Sequence, residues 1–258
     1  MNIIVGCDNS GETLESVLTT TTQPENHEKE TYLVGTAANY PPLEFRGADG
    51  QLIGLEIDMI SAVAQDQGFD ITILPMRWGD IMPSLDAGTR DIGMALWYSD
   101  ERAEKYDFSV PLYSTKLVMA RLKNKAGANS VDDINNAQIA LQGPDTLNHR
   151  SYTKVNLDDE SRNNKLVMTT RTYLAFKSLV NGDSDYILDT DIQLRHFIKN
   201  SPLTMDDFVF IYDDRFASGT WAYAVKKGNR ELLDKINNGI KNLRKSGEYQ
   251  KIVSKWFK

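Results

Sequence analysis

Short apolar segments alternate with longer amphipathic segments from Tyr32 onward, and this spacing predicts strands and helices in turn. The segments "TYLVGTA", "DITIL" and "RDIGMAL" are apolar enough to be buried strands. Between them, "GLEIDMISAVAQDQG" predicts a helix ending at Gly68 and "WGDIMPSLDAG" a helix ending at Gly88. The apolar face of the first helix consists of Ile57, Ile60, Val63 and Ala64. This βαβ order is typical of a mostly parallel sheet with helices on both faces.

A second cycle of strands and helices follows the long strand "STKLVMARLK" and the polar segment "NKAGANSVDDINNA". The chain then finishes with the strand "TWAYAVKKG" and an amphipathic helix whose apolar stripe is Leu232, Leu233, Ile236, Ile240 and Leu243. We therefore expect an α/β fold of two lobes, with residues 31–120 in lobe 1, 121–216 in lobe 2 and 217–258 returning to lobe 1. Two crossings between the lobes would form a hinge with a cleft beside it.

The first 30 residues are predicted to be a signal remnant followed by a flexible tether. The segment "IVGC" is similar to the end of a bacterial lipoprotein signal, and Cys7 is the only cysteine, so it cannot form an intrachain disulfide. The polar residues after it, including Thr19–Glu30, bury too little apolar surface to fold. We expect a lipid anchor at Cys7 on a chain that starts inside its own signal. The alternative is a chance cysteine in a disordered tail.

Composition limits the classes of partner. The chain has 258 residues, of which 41% are hydrophobic and 25% charged, and a formal net charge of -7 without a basic block, which argues against nucleic acid. No apolar run approaches the roughly 20 residues needed to cross a bilayer. The histidines His27, His149 and His196 are scattered and no cysteine pair exists, so we expect neither a metal nor a cofactor. A small solute or a protein is the expected partner.

Several motifs in fixed order carry a resemblance to a known family. They are "YPPLEF", "DGQLIGLEID", "IMPSLDAGTRDI", "SDERAEKYDFSVPLY", "NGDSDYILD" and "SGEYQKIVSKWF". Together they resemble the bacterial extracellular solute-binding proteins of family 3, the periplasmic amino-acid-binding proteins of ABC transporters, across Tyr32 to Lys258. The resemblance implies the type II periplasmic-binding-protein fold, a monomer that closes its lobes on a solute, and ABC permease subunits as partners. It implies no catalysis.

The resemblance also implies positions for the solute in lobe 1. Arg102, in "SDER", matches the arginine that receives the α-carboxylate of a bound amino acid, and a guanidinium fork suits a planar carboxylate. The alternative is a surface arginine paired with neighbouring acids. Tyr40 matches a position where an aromatic ring packs on the solute and Trp78 matches another solute contact in lobe 1, although either could belong to the core.

The matching positions in lobe 2 are less regular. Gly143 matches a glycine at a helix start, but Pro144 and Asp145 stand where the family has hydroxyl residues, which leaves Thr146 as a replacement donor. The amine partner implied by the family falls in "NGDSDYILDTD", where Asp189 and Asp191 are both candidates. We favour Asp189 because it ends an apolar strand, whereas Asp191 also fits a helix N-cap.

One departure from the family bears on the solute. Between "DIGMA", which ends at Ala95, and "SDER", the chain has only "LWY", so Trp97 stands where a hydroxyl residue is expected. We include Ala95 and Trp97 in the predicted site, because a tryptophan there reshapes the pocket and its ring can hold an amine. Ala37 stands at the position where binders of basic amino acids have an acidic residue.

Two alternatives to a transport protein stay open. One is a cyclohexadienyl-dehydratase-like enzyme with Asp145 as its general acid. The other is the sensor domain of a receptor, which a chain ending at "KWFK" disfavours.

Overall fold

The computed structural model describes residues 29–144 and 146–257. Cys7 and Asp145, two positions to which the sequence assigns roles, lie outside the described residues. The strands within these ranges are β1 (Thr31–Thr36), β2 (Asn39–Tyr40), β3 (Glu44–Arg46), β4 (Leu52–Ile53), β5 (Asp70–Pro75), β6 (Ile92–Trp97), β7 (Tyr106–Phe108), β8 (Tyr113–Leu122), β9 (Gln138–Gln142), β10 (Lys165–Thr169), β11 (Tyr186–Thr190), β12 (Phe208–Ile211) and β13 (Ser218–Lys226).

The helices in the same ranges fill the gaps between strands. They are α1 (Leu55–Gln67), α2 (Ile81–Asp86), α3 (Asp100–Lys105), α4 (Leu147–Lys154), α5 (Thr172–Asn181), α6 (Asp191–Lys199), α7 (Arg230–Ser246) and α8 (Glu248–Phe257). Short 3-10 turns are present at Trp78–Asp80, Val131–Asp133, Glu160–Arg162 and Met205–Asp207. None of the described helices is both long enough and apolar enough to span a bilayer.

The main sheet has the strand order β10-β9-β11-β8-β13-β6-β1-β5, with β12 paired to β8 and β7 to β13. In one half, β1 is parallel to β5 and β6, whereas β13 is antiparallel to β6. In the other half, β9 is parallel to β10 and β11, and β8 is antiparallel to β11 and β12. Each half therefore has the parallel pairs expected from the βαβ pattern, but the expectation of a mostly parallel sheet was wrong: β8 and β13 pair only in antiparallel fashion, and four strand pairs of the main sheet are parallel while five are antiparallel.

Strands β8 and β13 connect the two halves. They pair in antiparallel fashion from Tyr113↔Trp221 to Lys116↔Ser218, and β8 then continues into the second half, where it pairs with β11. The lobe boundaries predicted at residues 120 and 216 fall within β8 and just before β13. The fold is thus a two-lobed α/β architecture in which two long strands are common to both lobes.

The last long helix returns to the first half of the sheet, as the amphipathic pattern predicts. All five apolar stripe residues of α7 and all four predicted face residues of α1 are buried. The two helices approach closely at Gly239, where an added Cβ would lie 2.8 Å from Cγ1 of Val63. Helix α1 ends at Gly68, which adopts the left-handed conformation with φ 74° that glycine tolerates best.

Several parts of the fold were not predicted as elements, among them strand β7, helix α8 and the short strands β2, β3 and β4. Helix α8 follows α7 directly after Gly247, and strands β2, β3 and β4 form a separate small antiparallel sheet. Its pairing brings Tyr40 opposite Glu44 and Phe45 opposite Ile53. This small sheet matters for function because it carries two side chains to the cleft.

Candidate functional site

A cavity of about 210 Å³ lies between the two halves of the sheet. This is smaller than the roughly 300–1,000 Å³ typical of sites for drug-sized ligands, so it suits a small solute. The four aromatic side chains that line it are Tyr40, Trp78, Trp97 and Trp221. The polar residues that line it are Asn39, Glu44, Gln142, Thr146, Asn148 and Thr170. The remaining lining residues are Ala95, Gly143, Pro144 and Leu147.

The aromatic wall is held together by ring contacts and one hydrogen bond. The rings of Tyr40 and Trp221 are 5.5 Å apart and tilted by 40°, and Tyr113 stacks on Trp221 at 6.0 Å. Nε1 of Trp221 donates to Oγ1 of Thr115 at 2.9 Å, within the paired region of β8 and β13. The wall is therefore anchored to the two strands that join the lobes.

Among the described residues that line the cavity, Glu44 is the one with an acidic or basic side chain. It is only 1% exposed, and its Oε2 accepts a hydrogen bond of 2.6 Å from the hydroxyl of Thr36. No described group reaches its buried Oε1 with normal hydrogen-bond geometry, although the backbone N–H groups of Ala38 and Asn39 lie near enough to the carboxyl to lower its pKa. Burial, and to a lesser extent the charge of Glu56, raises the pKa of Glu44 to about 8. Glu44 is therefore mostly protonated at neutral pH when the cavity is empty.

A second buried carboxylate, Glu56, connects three elements behind the aromatic wall. It lies at the start of α1, and its Oε2 accepts the backbone N–H of Ala95 at 2.7 Å. Its Oε1 accepts from the hydroxyl of Tyr113, and burial raises its pKa to about 7. Ala95 has φ 57°, an unusual conformation for a residue other than glycine, and its bond to Glu56 supports it. Glu56 therefore fixes the end of β6 at the edge of the cavity.

Asp189, the favoured amine partner, is buried at the end of β11 and 1% exposed. Its Oδ1 accepts from the backbone N–H of Thr190 at 2.7 Å and from Nδ2 of Asn148 at 3.2 Å. Its Oδ2 is buried and has no hydrogen-bond partner among the described residues. Burial raises its pKa to about 7. Asp189 does not itself line the cavity, but Asn148 does, and the charge of Asp189 helps to raise the pKa of Tyr40, another lining residue.

Asp191, the other candidate, lies outside the cavity lining. It is the first residue of α6, and its carboxylate accepts the N–H of Ile192 at 2.9 Å. The alternative interpretation of Asp191 as a helix N-cap was wrong by one residue. The N-cap of α6 is Thr190, whose hydroxyl accepts from the N–H of Gln193.

The lobe 2 residues expected to contact the solute carboxylate do lie at the cavity, but the Thr146 hydroxyl already makes hydrogen bonds within the protein. Gly143, Pro144 and Thr146 all line it. The hydroxyl of Thr146 donates to the carbonyl oxygen of Gln142 at 2.5 Å and accepts from the N–H of His149 at 3.2 Å. Thr146 thus caps α4, and its single hydroxyl proton is already engaged.

Arg102 lies beside the cavity and is not among its lining residues. Its guanidinium carbon is 4.3 Å from the centre of the Trp97 ring and 5.5 Å from that of Trp78. Its Nη1 donates to the carbonyl oxygen of Trp97 at 2.9 Å. Burial, with the nearby charge of Arg150, lowers the pKa of Arg102 to about 10. Trp97, which is 9% exposed and lines the cavity, covers the guanidinium.

The two lobes touch across the cleft. Nε2 of Gln193 in α6 donates to the carbonyl oxygen of Pro41 at 3.1 Å. On another side, Arg150 of α4 pairs with Glu101 of α3 at 3.4 Å. These contacts link the two lobes, and the residues that line the cavity come from both of them. In residues 29–144 and 146–257 there is no group of three or more His, Cys, Asp or Glu side chains that could hold a metal ion.

Comparison with known proteins decides the family. The model of the bacterial extracellular solute-binding proteins, family 3, matches residues 32–258. The chain belongs to this family. An L-cystine-binding protein, TcyJ of Escherichia coli (strain K12), is 29% identical over 237 residues, which are 89% of this chain and 84% of TcyJ.

Solved structures agree with that assignment. A substrate-binding protein of an amino acid ABC transporter is 31% identical with a TM-score of 0.74, over 88% of this chain and 99% of the other. An ancestral amino acid-binding protein described as a precursor of cyclohexadienyl dehydratase is 28% identical with a TM-score of 0.77, over 88% of this chain and 96% of the other. All three relatives are described as binding proteins. The expected periplasmic-binding-protein fold is confirmed.

Sequence reasoning missed several residues that line the candidate site of this family 3 protein. Glu44 lies within the quoted "YPPLEF" motif but was not given a role, and Trp221 and Asn148 were not considered. The signal for Glu44 was its position two residues after a pair of prolines, next to the predicted Tyr40. Trp221 carried no local signal, because it reaches the cavity through the pairing of β13 with β8.

Proposed function

We propose that this protein captures a small amine-bearing solute, such as an amino acid, and delivers it to the membrane permease of an ABC importer. The observation that carries the proposal is a cavity between two lobes, with aromatic walls and a buried carboxylate oxygen of Glu44 that no described group reaches with normal hydrogen-bond geometry. A buried polar atom of this kind is costly unless something bonds to it. The ammonium group of a solute supplies that bond.

In the proposed complex, the solute amine lies towards Glu44 and Asp189. Both carry an unpartnered, buried oxygen, and Asn148 holds the other oxygen of Asp189 in place. The rings of Tyr40 and Trp221 would pack on the apolar part of the solute. The lobes close on it by movement at β8 and β13, with no bond made or broken.

A ligand screen tests the proposal. Thermal unfolding is measured with amino acids, amines and small carboxylates, since a ligand at a hundredfold excess over its Kd raises stability by about 2.7 kcal/mol. Hits are confirmed by calorimetry on two matched variants of strand β9. Gln142→Ala removes a cavity residue and is expected to weaken binding, whereas Gln138→Ala, at the exposed start of the same strand, is not. Equal effects of both substitutions would contradict this location of the site.

We further propose that the protein works as a monomer outside the cytoplasm, anchored by a lipid on Cys7. The support is the lipoprotein-like segment "IVGC" and the polar stretch that follows it. When the gene is expressed in a bacterium with a complete signal sequence, the protein is expected to fractionate with membranes, and Cys7→Ser is expected to release it. A serine variant that stays with the membranes contradicts the anchor.

A second candidate function is a dehydratase on the same fold. One observation favours it, because the buried, mostly protonated carboxyl of Glu44 faces a cavity and could act as a general acid. We propose that the protein is not an enzyme. When it is incubated with a cyclohexadienyl acid, we expect ultraviolet absorbance to show no formation of an aromatic product. Turnover that Glu44→Gln removes would establish the dehydratase instead.

A further inference from the structure

The acidic groups lie at the cavity or just behind its lining, whereas the nearby basic groups lie outside the lining. Glu44 lines the cavity with an unpartnered oxygen, and Asp189 has another just behind the lining. No arginine or lysine is among the lining residues that the structure describes. An amino acid brings a carboxylate as well as an ammonium group, and its carboxylate would need a cation or several free donors in this wall.

The guanidinium expected to receive that carboxylate lies behind the cavity lining, against the ring of Trp97. Arg102 stacks against Trp97 and donates to the carbonyl oxygen of the same residue. A carboxylate in the cavity is separated from it by the indole ring. Arg150, the other guanidinium near Trp97, at 5.6 Å, has a side chain that is 50% exposed and paired with Glu101. Neither arginine is among the residues that line the cavity.

We propose that Trp97 closes Arg102 off from the cleft and that the solute is an organic cation without an α-carboxylate, such as an alkyl amine or diamine. The ammonium group bonds to Glu44, the negative charge of Asp189 behind the lining favours it there, and the aromatic wall covers the alkyl chain. Rings around a desolvated cation add electrostatic attraction to this contact. The inference rests on the proposed function and specifies its substrate class.

Matched pairs of compounds test the substrate class. Calorimetry compares each amino acid with the amine formed by removing its carboxyl group: arginine with agmatine, lysine with cadaverine, ornithine with putrescine and histidine with histamine. In at least one pair we expect the amine to bind at least about tenfold more tightly, since a buried carboxylate without a partner is strongly unfavourable. Tighter binding of the amino acid in every pair that binds would overturn the inference.

Two variants test the role of Trp97. Trp97→Ser restores the hydroxyl residue typical of the family and uncovers Arg102, so we expect affinity for the amino acid to rise by at least about tenfold relative to its amine. The double variant Trp97→Ser, Arg102→Ala should lose that gain. Thermal unfolding without ligand checks that both variants fold. If Trp97→Ser does not fold, the compound pairs decide alone.

The outcomes separate the inference from the proposed function. If no amine binds but an amino acid from the wider screen does, the cation assignment is overturned and the proposed function stands. A Trp97→Ser protein whose preference is unchanged, although folded, would overturn the role of Trp97 as a cover. If no compound of either kind binds, both proposals fail.

Discussion

Replacing Glu44 with glutamine should change how the stability of the ligand-free protein depends on pH. Glutamine has nearly the same size and keeps an oxygen that can accept from Thr36, but it cannot ionise. Burial raises the pKa of Glu44 from its usual 4.5 to about 8, so the folded state holds this proton more tightly than the unfolded state. The stability associated with Glu44 is therefore fully present below about pH 4.5 and is lost as the pH rises towards 8.

The pKa values set the size of the effect. Each tenfold change in an equilibrium constant corresponds to about 1.4 kcal/mol, so the shift from 4.5 to about 8 amounts to at most about 5 kcal/mol. At about pH 5, wild type and Glu44→Gln should have similar free energies of unfolding. Near pH 9, Glu44→Gln should be the more stable protein, because it does not bury a charge beside Glu56.

Urea denaturation at several pH values measures this difference. Glu104→Gln serves as the control, because Glu104 is an exposed glutamate in α3. Glu56 and Asp189 also titrate in wild type and in both variants, so only the difference between wild type and Glu44→Gln reports on Glu44. Parallel curves for these two proteins between pH 5 and pH 9 would refute the reasoning, since Glu44 would then have an ordinary pKa.

Three other predictions follow from single features. Gly54→Ala should destabilise the fold by about 2 kcal/mol or more in thermal unfolding, because Gly54 has φ 145° and an added Cβ would lie 2.2 Å from the carbonyl oxygen of Leu43. Arg150→Ala should change the ligand dissociation rate, measured by stopped flow, by no more than about fivefold, because Arg150 and Glu101 form an exposed pair. Binding of a cation at pH 7 should release a proton from Glu44, so the calorimetric enthalpy should vary with the ionisation enthalpy of the buffer in wild type and less in Glu44→Gln.

The fold could largely be predicted from the sequence because its signals are local. The apolar spacing of α1 and α7 identified faces that the structure buries, and Gly68 marked a helix end. Helix α8 carries a similar signal that was not used: Tyr249, Ile252, Val253 and Trp256 recur at helical spacing, and all four belong to the main hydrophobic core or pack against it.

The site could be predicted only in part, because its chemistry depends on contacts between distant segments. The resemblance identified Tyr40, Trp78, Trp97 and other residues that line the cavity. It could not show that Glu44 is buried against Thr36, which depends on how the small sheet folds over β1. Nor could it show that the shorter connection "LWY" turns the Trp97 ring onto Arg102, because that depends on three-dimensional placement.

The position of β13 in the sheet has a consequence for biosynthesis. This strand lies between β6 and β8, yet it is synthesised after all of the strands with which it pairs. During translation, β6 and β7 therefore have no antiparallel partner until almost the whole chain has emerged, whereas β9, β10 and β11 can pair earlier. A chain that stops at Ala217 is expected to lack a protease-resistant first lobe. Completion of the first lobe is therefore expected to be among the last folding events on the ribosome, whereas the strands of the second lobe can pair earlier.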